Sequence, residues 1–247
     1  MSFYFSPRII TDELVMYVDP QNDRSIQIGG LSANNLLPRE GNLSSLSLLN
    51  GTYVNQLNSR RFFTFDGADD YIDAIGSPID SLSPNMTFCA WVNHDRSYLG
   101  EQGSILFFGG SGGSSQRCYF RVNSDTIQLA ITDGITSVLS STNLYTLSSY
   151  PNPFNHICVT FSENIGLGTS DVKFYANGSL LDQTTSSIVS GRNSASSLLN
   201  EPRIGYGGSS VAQRFSGDIG HLMVYKKTLS QSELQQNYNA TKTRFGL

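Results

Sequence analysis

The chain is 247 residues long and 38% hydrophobic, enough for a sizeable core and too apolar for a disordered polymer. Its charged share is only 15% and its net charge −4, and no basic block extends beyond the pairs Arg60-Arg61 and Lys226-Lys227, which excludes a phosphate-tracking nucleic-acid surface. No apolar run approaches the roughly 18 residues that a membrane-spanning helix needs, and MSFYFSPRIITDEL shows no basic stretch leading into an apolar one, so no secretory leader is expected.

In chain order, residues 1–13 read as an extended arm, and Leu14–Val18 (LVMYV) as a first strand ended by Asp19-Pro20. Residues 21–50 are polar and broken by Gly29-Gly30, Asn34-Asn35 and Pro38, so a long loop along the surface or against a neighbour is expected. The segment FDGADDYI (65–72) then joins the apolar run Phe62, Phe63, Phe65 to Tyr71, Ile72, Ala74, Ile75. Asp66-Gly67 marks the turn: Asp bonds to the backbone two residues on, and Gly tolerates a positive φ. Met86–Val92 (MTFCAWV) is apolar almost throughout, as in a strand buried on both faces. Ser104–Phe108 and Cys118–Val122 read as a hairpin with the tip GGSGGSSQ, and Thr126–Thr132 alternates Ile127, Leu129 and Ile131 against polar residues. Ile135–Leu139 follows a Asp133-Gly134 turn. His156–Phe161 pairs with Val172–Ala176, and Asn177-Gly178 is the strongest hairpin signal in the chain, with Leu180-Leu181 starting the return strand. Arg203–Tyr206 and Gly217–Tyr225 supply the last strands. The only helix predicted spans Ser230–Thr241, opened by a Ser230/Glu233 capping box. No shift of composition divides the chain, so residues 14–247 form one domain.

These segments together resemble the laminin-G-like, concanavalin A-like jelly-roll domains: FDGADDYI, MTFCAWV, NHICVTFS (155–162), VKFYANGSLL (172–181), RIGY and FSGDIGHLMVYKKTLSQSELQQNYN (215–239), in that order. The resemblance implies an all-β fold: a single antiparallel β-sandwich of jelly-roll type, with an N-terminal arm and a short C-terminal helix. The ends LVMYVDPQNDRSI and NYNATKTRFGL, with NGTYV (50–54), resemble structural proteins of tailed phages. That narrower likeness implies a non-enzymatic virion protein, made in the host cytoplasm, that decorates the capsid. In that role the arm, the loop 21–50 and the tail 242–247 pack on neighbouring subunits, other virion proteins or further copies of the chain. The alternative is a carbohydrate-binding, lectin-like adhesion module of a tail fibre or of a cell-surface protein, with host-surface glycans as its partner.

The candidate sites carry competing readings. Glucanases of the superfamily place two carboxylates on one strand face, at i and i+2 or i+4. No such run occurs within a predicted strand, and Asp70 and Asp73 have the wrong parity, so an enzyme is not expected. The histidines His94, His156 and His221 are scattered without a Gly-x-Ser-x-Gly elbow and read as strand-end or partly buried residues. Cys89, Cys118 and Cys158 are odd in number and set in apolar runs, which reads as buried free thiols. No cofactor is expected apart from calcium: Asp66, Asp69 and Asp70, with Asp73 nearby, offer hard oxygen ligands on a turn. Against calcium, Asp66 and Asp69 satisfy turn amides while Asp70 caps the next strand. For glycan stacking the candidates are Tyr98, Tyr145, Tyr150, Phe154 and Tyr206, which equally suit a protein interface. Trp91 lies in the core-like MTFCAWV and is read as structural.

Overall fold

The computed structural model describes residues 7–26, 30, 32–34, 45–57, 60–74, 83–94, 102–109, 117–123, 126–132, 136–140, 154–164, 167–187, 202–207 and 213–247. The strands are β1 (Leu14–Val18), β2 (Ser32–Asn34), β3 (Ser45–Leu49), β4 (Tyr53–Leu57), β5 (Arg60–Asp66), β6 (Tyr71–Ala74), β7 (Asn85–His94) and β8 (Gln102–Gly109). They continue with β9 (Arg117–Asn123), β10 (Thr126–Thr132), β11 (Thr136–Ser140), β12 (Asn155–Asn164), β13 (Thr169–Ala176), β14 (Ser179–Ser187), β15 (Arg203–Ile204) and β16 (Ser216–Tyr225), before the helix α1 (Gln231–Thr241). One sheet runs β14-β13-β12-β7-β16-β5-β4 with β1 also paired to β16; the second runs β11-β10-β9-β8-β15-β6-β3-β2. Every pairing is antiparallel, and the two sheets form the expected sandwich.

Period-2 alternation builds the interior. Met86, Phe88, Ala90 and Val92 of β7 point between the sheets beside Ile157, Val159 and Phe161 of β12, facing Leu106, Phe108, Phe120 and Leu129 from the second sheet. The other face of β7 carries Cys89 and Trp91, which are also fully buried. MTFCAWV is therefore apolar on both faces for two reasons: one face meets the opposite sheet, the other lies under α1 and both chain ends. In β16 a bulge between Ile219 and Leu222 resets the alternation, so that β5 pairs with its first half and β1 with its second. Gly220 sits in this bulge, where a Cβ would come within 2.4 Å of the Phe245 ring. The bare backbone there lets the C-terminal tail lie flat on the sheet.

The hairpin and cap signals fold as the residues dictate. Asn177 and Gly178 take φ 51° and 80°, the paired positive values a tight two-residue hairpin requires. Ser230 caps α1, with Glu233 returning the bond to the Ser230 amide.

Several expectations need correction. The stretch 21–50 is not wholly loop: β2 and β3 lie within it and complete an edge of the second sheet. Strand β4 was not anticipated either; its sequence YVNQL is too polar to stand out. Residues 7–13 of the arm lie on their own domain. Ile9 and Ile10 pack beside Leu14, Tyr225, Leu229 and Leu234, and the Ile10 amide donates to Asn237 Oδ1 at 2.8 Å. The tail behaves likewise: Lys242–Phe245 forms a 3-10 turn that drives Phe245 onto Trp91, ring centroids 4.3 Å apart. His156 and His221 are fully buried rather than partly so, under the same cover. All three cysteines are buried thiols outside any disulfide, as expected. Among the described residues no helix is long and apolar enough to cross a membrane.

Candidate functional site

The turn between β5 and β6 concentrates the acids. Asp66 Oδ1 accepts the Ala68 amide at 2.7 Å and the Asp69 amide at 3.4 Å, while Asp70 Oδ2 accepts the Asp66 amide at 2.9 Å. Asp66 thus satisfies turn amides as expected. Asp70 closes the turn backward onto Asp66, a role the sequence reading assigned differently, and Asp69 contributes its carbonyl, which accepts Asn50 Nδ2 at 3.2 Å. Ligating oxygens of Asp66, Asp69 and Asp70 lie within 4.8 Å of one another. Asp70 is only 5% exposed and its Oδ1 has no hydrogen-bond partner. Burial pushes its carboxyl above the ordinary carboxylate value, against the opposing pull of the Asp66 amide, and the charges of Asp66 and Asp69 push the same way as burial. Gly51 leaves room beside that oxygen; a Cβ there would stand 2.9 Å from it. The trio offers oxygen ligands of the kind a calcium ion takes, with Asp66 Oδ1 and Asp70 Oδ2 already engaged by turn amides.

Asp73, the fourth acid, belongs elsewhere. Its side chain leaves the outer face of β6 and accepts Arg203 Nε from β15 at 2.9 Å. The two residues stand in one lateral row across the outer face of the second sheet, in the order Ala130, Tyr119, Phe107, Arg203, Asp73, Ser47. Phe107, Tyr119 and Ala130 form a buried apolar floor, with Arg121 above the Tyr119 ring and bonded to Gln128 at 2.8 Å. Arg203, Tyr71 and Tyr206 are half-buried and stack together. The tyrosine rings lie 5.3 Å apart, and the Arg203 guanidinium sits 5.1 Å from the Tyr71 ring and 5.3 Å from that of Tyr206. Arg214 covers Tyr206 at 5.1 Å, and its buried Nε has no hydrogen-bond partner.

Aromatic faces bordered by fixed donors and a carboxylate suit the two sides of a sugar ring, apolar C–H surface and hydroxyl edge. Of the residues proposed from sequence for this role, only Tyr206 is placed here. Phe154 is 4% exposed and packs against Phe62, Trp91 and Phe245, so it is a core residue and not a rim residue. Tyr98, Tyr145 and Tyr150 lie outside the described residues. Sequence reasoning missed Tyr71, Arg203 and Arg214. The alternation Tyr71, Asp73 outward against Ile72, Ala74 inward was a usable signal for the first; nothing local announces that Arg203 meets Asp73 from 130 positions away. A second, shallow depression of about 200 Å³ on β13 and β14, lined by Asp171, Lys173, Gln183 and Thr185, has no aromatic wall.

Residues 66–235 match the model of the concanavalin A-like lectin/glucanases superfamily in its Laminin_G_3 form, and the chain belongs to that family. No curated protein sequence matches it. Among solved structures it is similar to the binding domain of Paraclostridial Mosquitocidal Protein 1, with TM-score 0.63 and 16% identity over 92% of this chain and 52% of the other. It thus spans about half the length of that toxin domain. Domain 4 of AbnA, an extracellular arabinanase of Geobacillus stearothermophilus solved with arabinotriose, gives TM-score 0.57 at 14% identity, covering 92% of this chain and 98% of the other. The Ruminococcus gnavus IT-sialidase CBM40 bound to α2,3-sialyllactose gives 0.52 at 17%, covering 70% and 94%. At such identities the likeness establishes the fold.

Proposed function

We propose that the chain is a non-catalytic carbohydrate-binding module whose ligand lies on the outer face of the second sheet, against Tyr71, Arg203, Tyr206 and Arg214. The observation that carries this reading is the stack itself: two tyrosine rings and two guanidinium groups assembled from three separated segments, beside Asp73. The compared structures support it, since one was solved with arabinotriose and another with sialyllactose. They agree better with the carbohydrate-binding alternative than with capsid decoration.

The test is a glycan array probed with the purified chain, with and without EGTA. Binding that Tyr206→Ala abolishes supports the reading; no binding in either condition overturns it. Loss of binding in EGTA alone assigns calcium a part, with Asp66, Asp69 and Asp70 as its ligands. We further propose, from the resemblance of the chain ends, that such a module serves a phage particle as an adhesion component. Mass spectrometry of purified particles tests that placement, and copy number separates a shell protein, present in hundreds, from a fibre component.

A further inference from the structure

On the outer face of the first sheet, beneath α1, a group of soft ligands stands apart from the sugar site. Cys89 and Cys158 are direct cross-strand partners on β7 and β12, and His156 is the next outward residue of β12, two positions before Cys158. Ligand atoms of the three residues lie within 4.8 Å of one another, and both His156 ring nitrogens are 3.7 Å from Cys158 Sγ. Two donors on a tetrahedral zinc ion, at about 2.3 Å for sulfur and about 2.0–2.1 Å for nitrogen, stand about 3.5–3.8 Å apart. The His156–Cys158 spacing is therefore already that of two donors on one ion, and the Cys89 sulfur lies within 4.8 Å of both.

The surroundings hold these ligands rigidly. Cys89 and Cys158 sit among Leu14, Tyr175, Met223, Tyr225 and Leu234, and the backbone of His156 is tied at both ends to Asn177, at 2.9 and 2.7 Å. One ring away, with centroids 6.2 Å apart, His221 is fully buried and neither of its nitrogens has a hydrogen-bond partner. Buried imidazoles without partners are costly in an apolar layer, and each such group asks for an explanation. A cation supplies one.

We propose that Cys89, His156 and Cys158 form a zinc site between the sheet and α1, its fourth position to be filled by a movement of His221, which stands outside that 4.8 Å group. Charge decides between thiophilic ions. Zn²⁺ displaces one proton from each thiol, and two thiolates plus a neutral imidazole leave the complex uncharged, as an apolar layer requires. Cu⁺ on the same ligands would leave a net negative charge in that layer. Since Cys89 is 0% and Cys158 1% exposed, the ion enters before α1 docks, and binding is coupled to folding.

The full chain is unfolded with reductant, refolded with Zn²⁺, Co²⁺ or Cu⁺ in turn, desalted, and its metal content measured. The expected result is about one Zn²⁺ per chain, and with Co²⁺ a thiolate-to-metal charge-transfer band with tetrahedral d–d absorption. Cys118→Ser, which alters a thiol inside the sandwich, retains the metal, whereas Cys89→Ser and His156→Gln lose at least tenfold in affinity. The cobalt spectrum of the unaltered chain keeps the test valid if a variant fails to fold. Absence of bound zinc, selective retention of Cu⁺, or zinc held equally by the Cys89→Ser chain overturns the proposal. So does a chain purified with one free thiol and a mass two hydrogens lighter, which identifies a Cys89–Cys158 disulfide instead.

Discussion

Trp91 shows what a single residue contributes here. Its indole Nε1 donates to Thr241 Oγ1 at 2.9 Å, while its ring stacks on Phe245 and, at 5.8 Å, on Tyr238. It holds the chain's last turn against the sheet, with Phe245 fully buried on its face. Phe245→Ala removes this lid and leaves a cavity over the indole, so a stability loss of about 3–5 kcal/mol is expected, within the range for deeply buried Phe. Trp91 is the only tryptophan; its emission should shift to the red in the same variant, and a denaturant titration followed by fluorescence reads both effects. The burial of Trp91 was legible in the sequence but its layer was not. MTFCAWV is apolar on both faces, and periodicity alone cannot say which residues face the opposite sheet and which face a helix contributed 140 residues later. Phe154 failed for a related reason: an aromatic residue at a strand edge looks like a rim residue until the tail that covers it is placed.

At the scale of elements, α1 and the arm clamp one another. Asn237, fully buried, accepts the Ile10 amide and donates to Tyr225 Oη at 3.0 Å, while Gln236 donates to the Arg8 carbonyl at 2.7 Å. Removing residues 1–13 should therefore lower the melting temperature, because it uncovers Leu14 and Leu234 and strands the buried Asn237 carbonyl. An unchanged melting temperature would return the arm to the role of a free connector. The start of α1 was the most legible element of the chain, since Ser230 and Glu233 form the box their spacing predicts. Ser230→Ala should cost about 1 kcal/mol, the usual worth of such a cap. Glu233 adds a pH dependence. Its hydrogen bond from Lys227, foremost, and the bond from the Ser230 amide hold its carboxyl below the ordinary value of 4.5. Its contribution is thus complete above pH 4.5 and is lost as pH falls through the lower folded value. An NMR titration of the α1 amides should show the first turn loosening in that window, and Glu233→Gln should remove the transition. Strands β2, β3 and β4 were illegible by contrast: SLSLL and the edge strand YVNQL have a polar content that resembles loop, and only their partners β6 and β5 define them.

For the molecule as a whole, the decisive feature is that its two outer faces differ. Over β7, β12 and β16 the first sheet is covered by α1, the tail and residues 7–13, so large side chains there, Trp91, Tyr175 and Tyr225, are spent on folding. The second sheet carries its half-buried rings and charges at Tyr71, Asp73, Arg203 and Tyr206. If the proposed glycan site on the second sheet is right, substitutions on the two faces should have separable consequences. Arg214→Ala and Tyr206→Ala are expected to weaken glycan binding by tenfold or more, roughly 1.4 kcal/mol, with little change in melting temperature. Arg203→Lys retains the charge opposite Asp73 but loses the planar stack on Tyr71 and Tyr206, so it too should weaken binding while the fold holds. Tyr175→Ala, on the sealed face, should lower the melting temperature and leave the affinity of the folded fraction unchanged. Measuring affinity by calorimetry and stability by thermal unfolding on these four variants decides the matter. If the second-sheet variants lose stability and keep affinity, the stack is a structural clasp between β6 and β15 and the ligand face must be sought elsewhere.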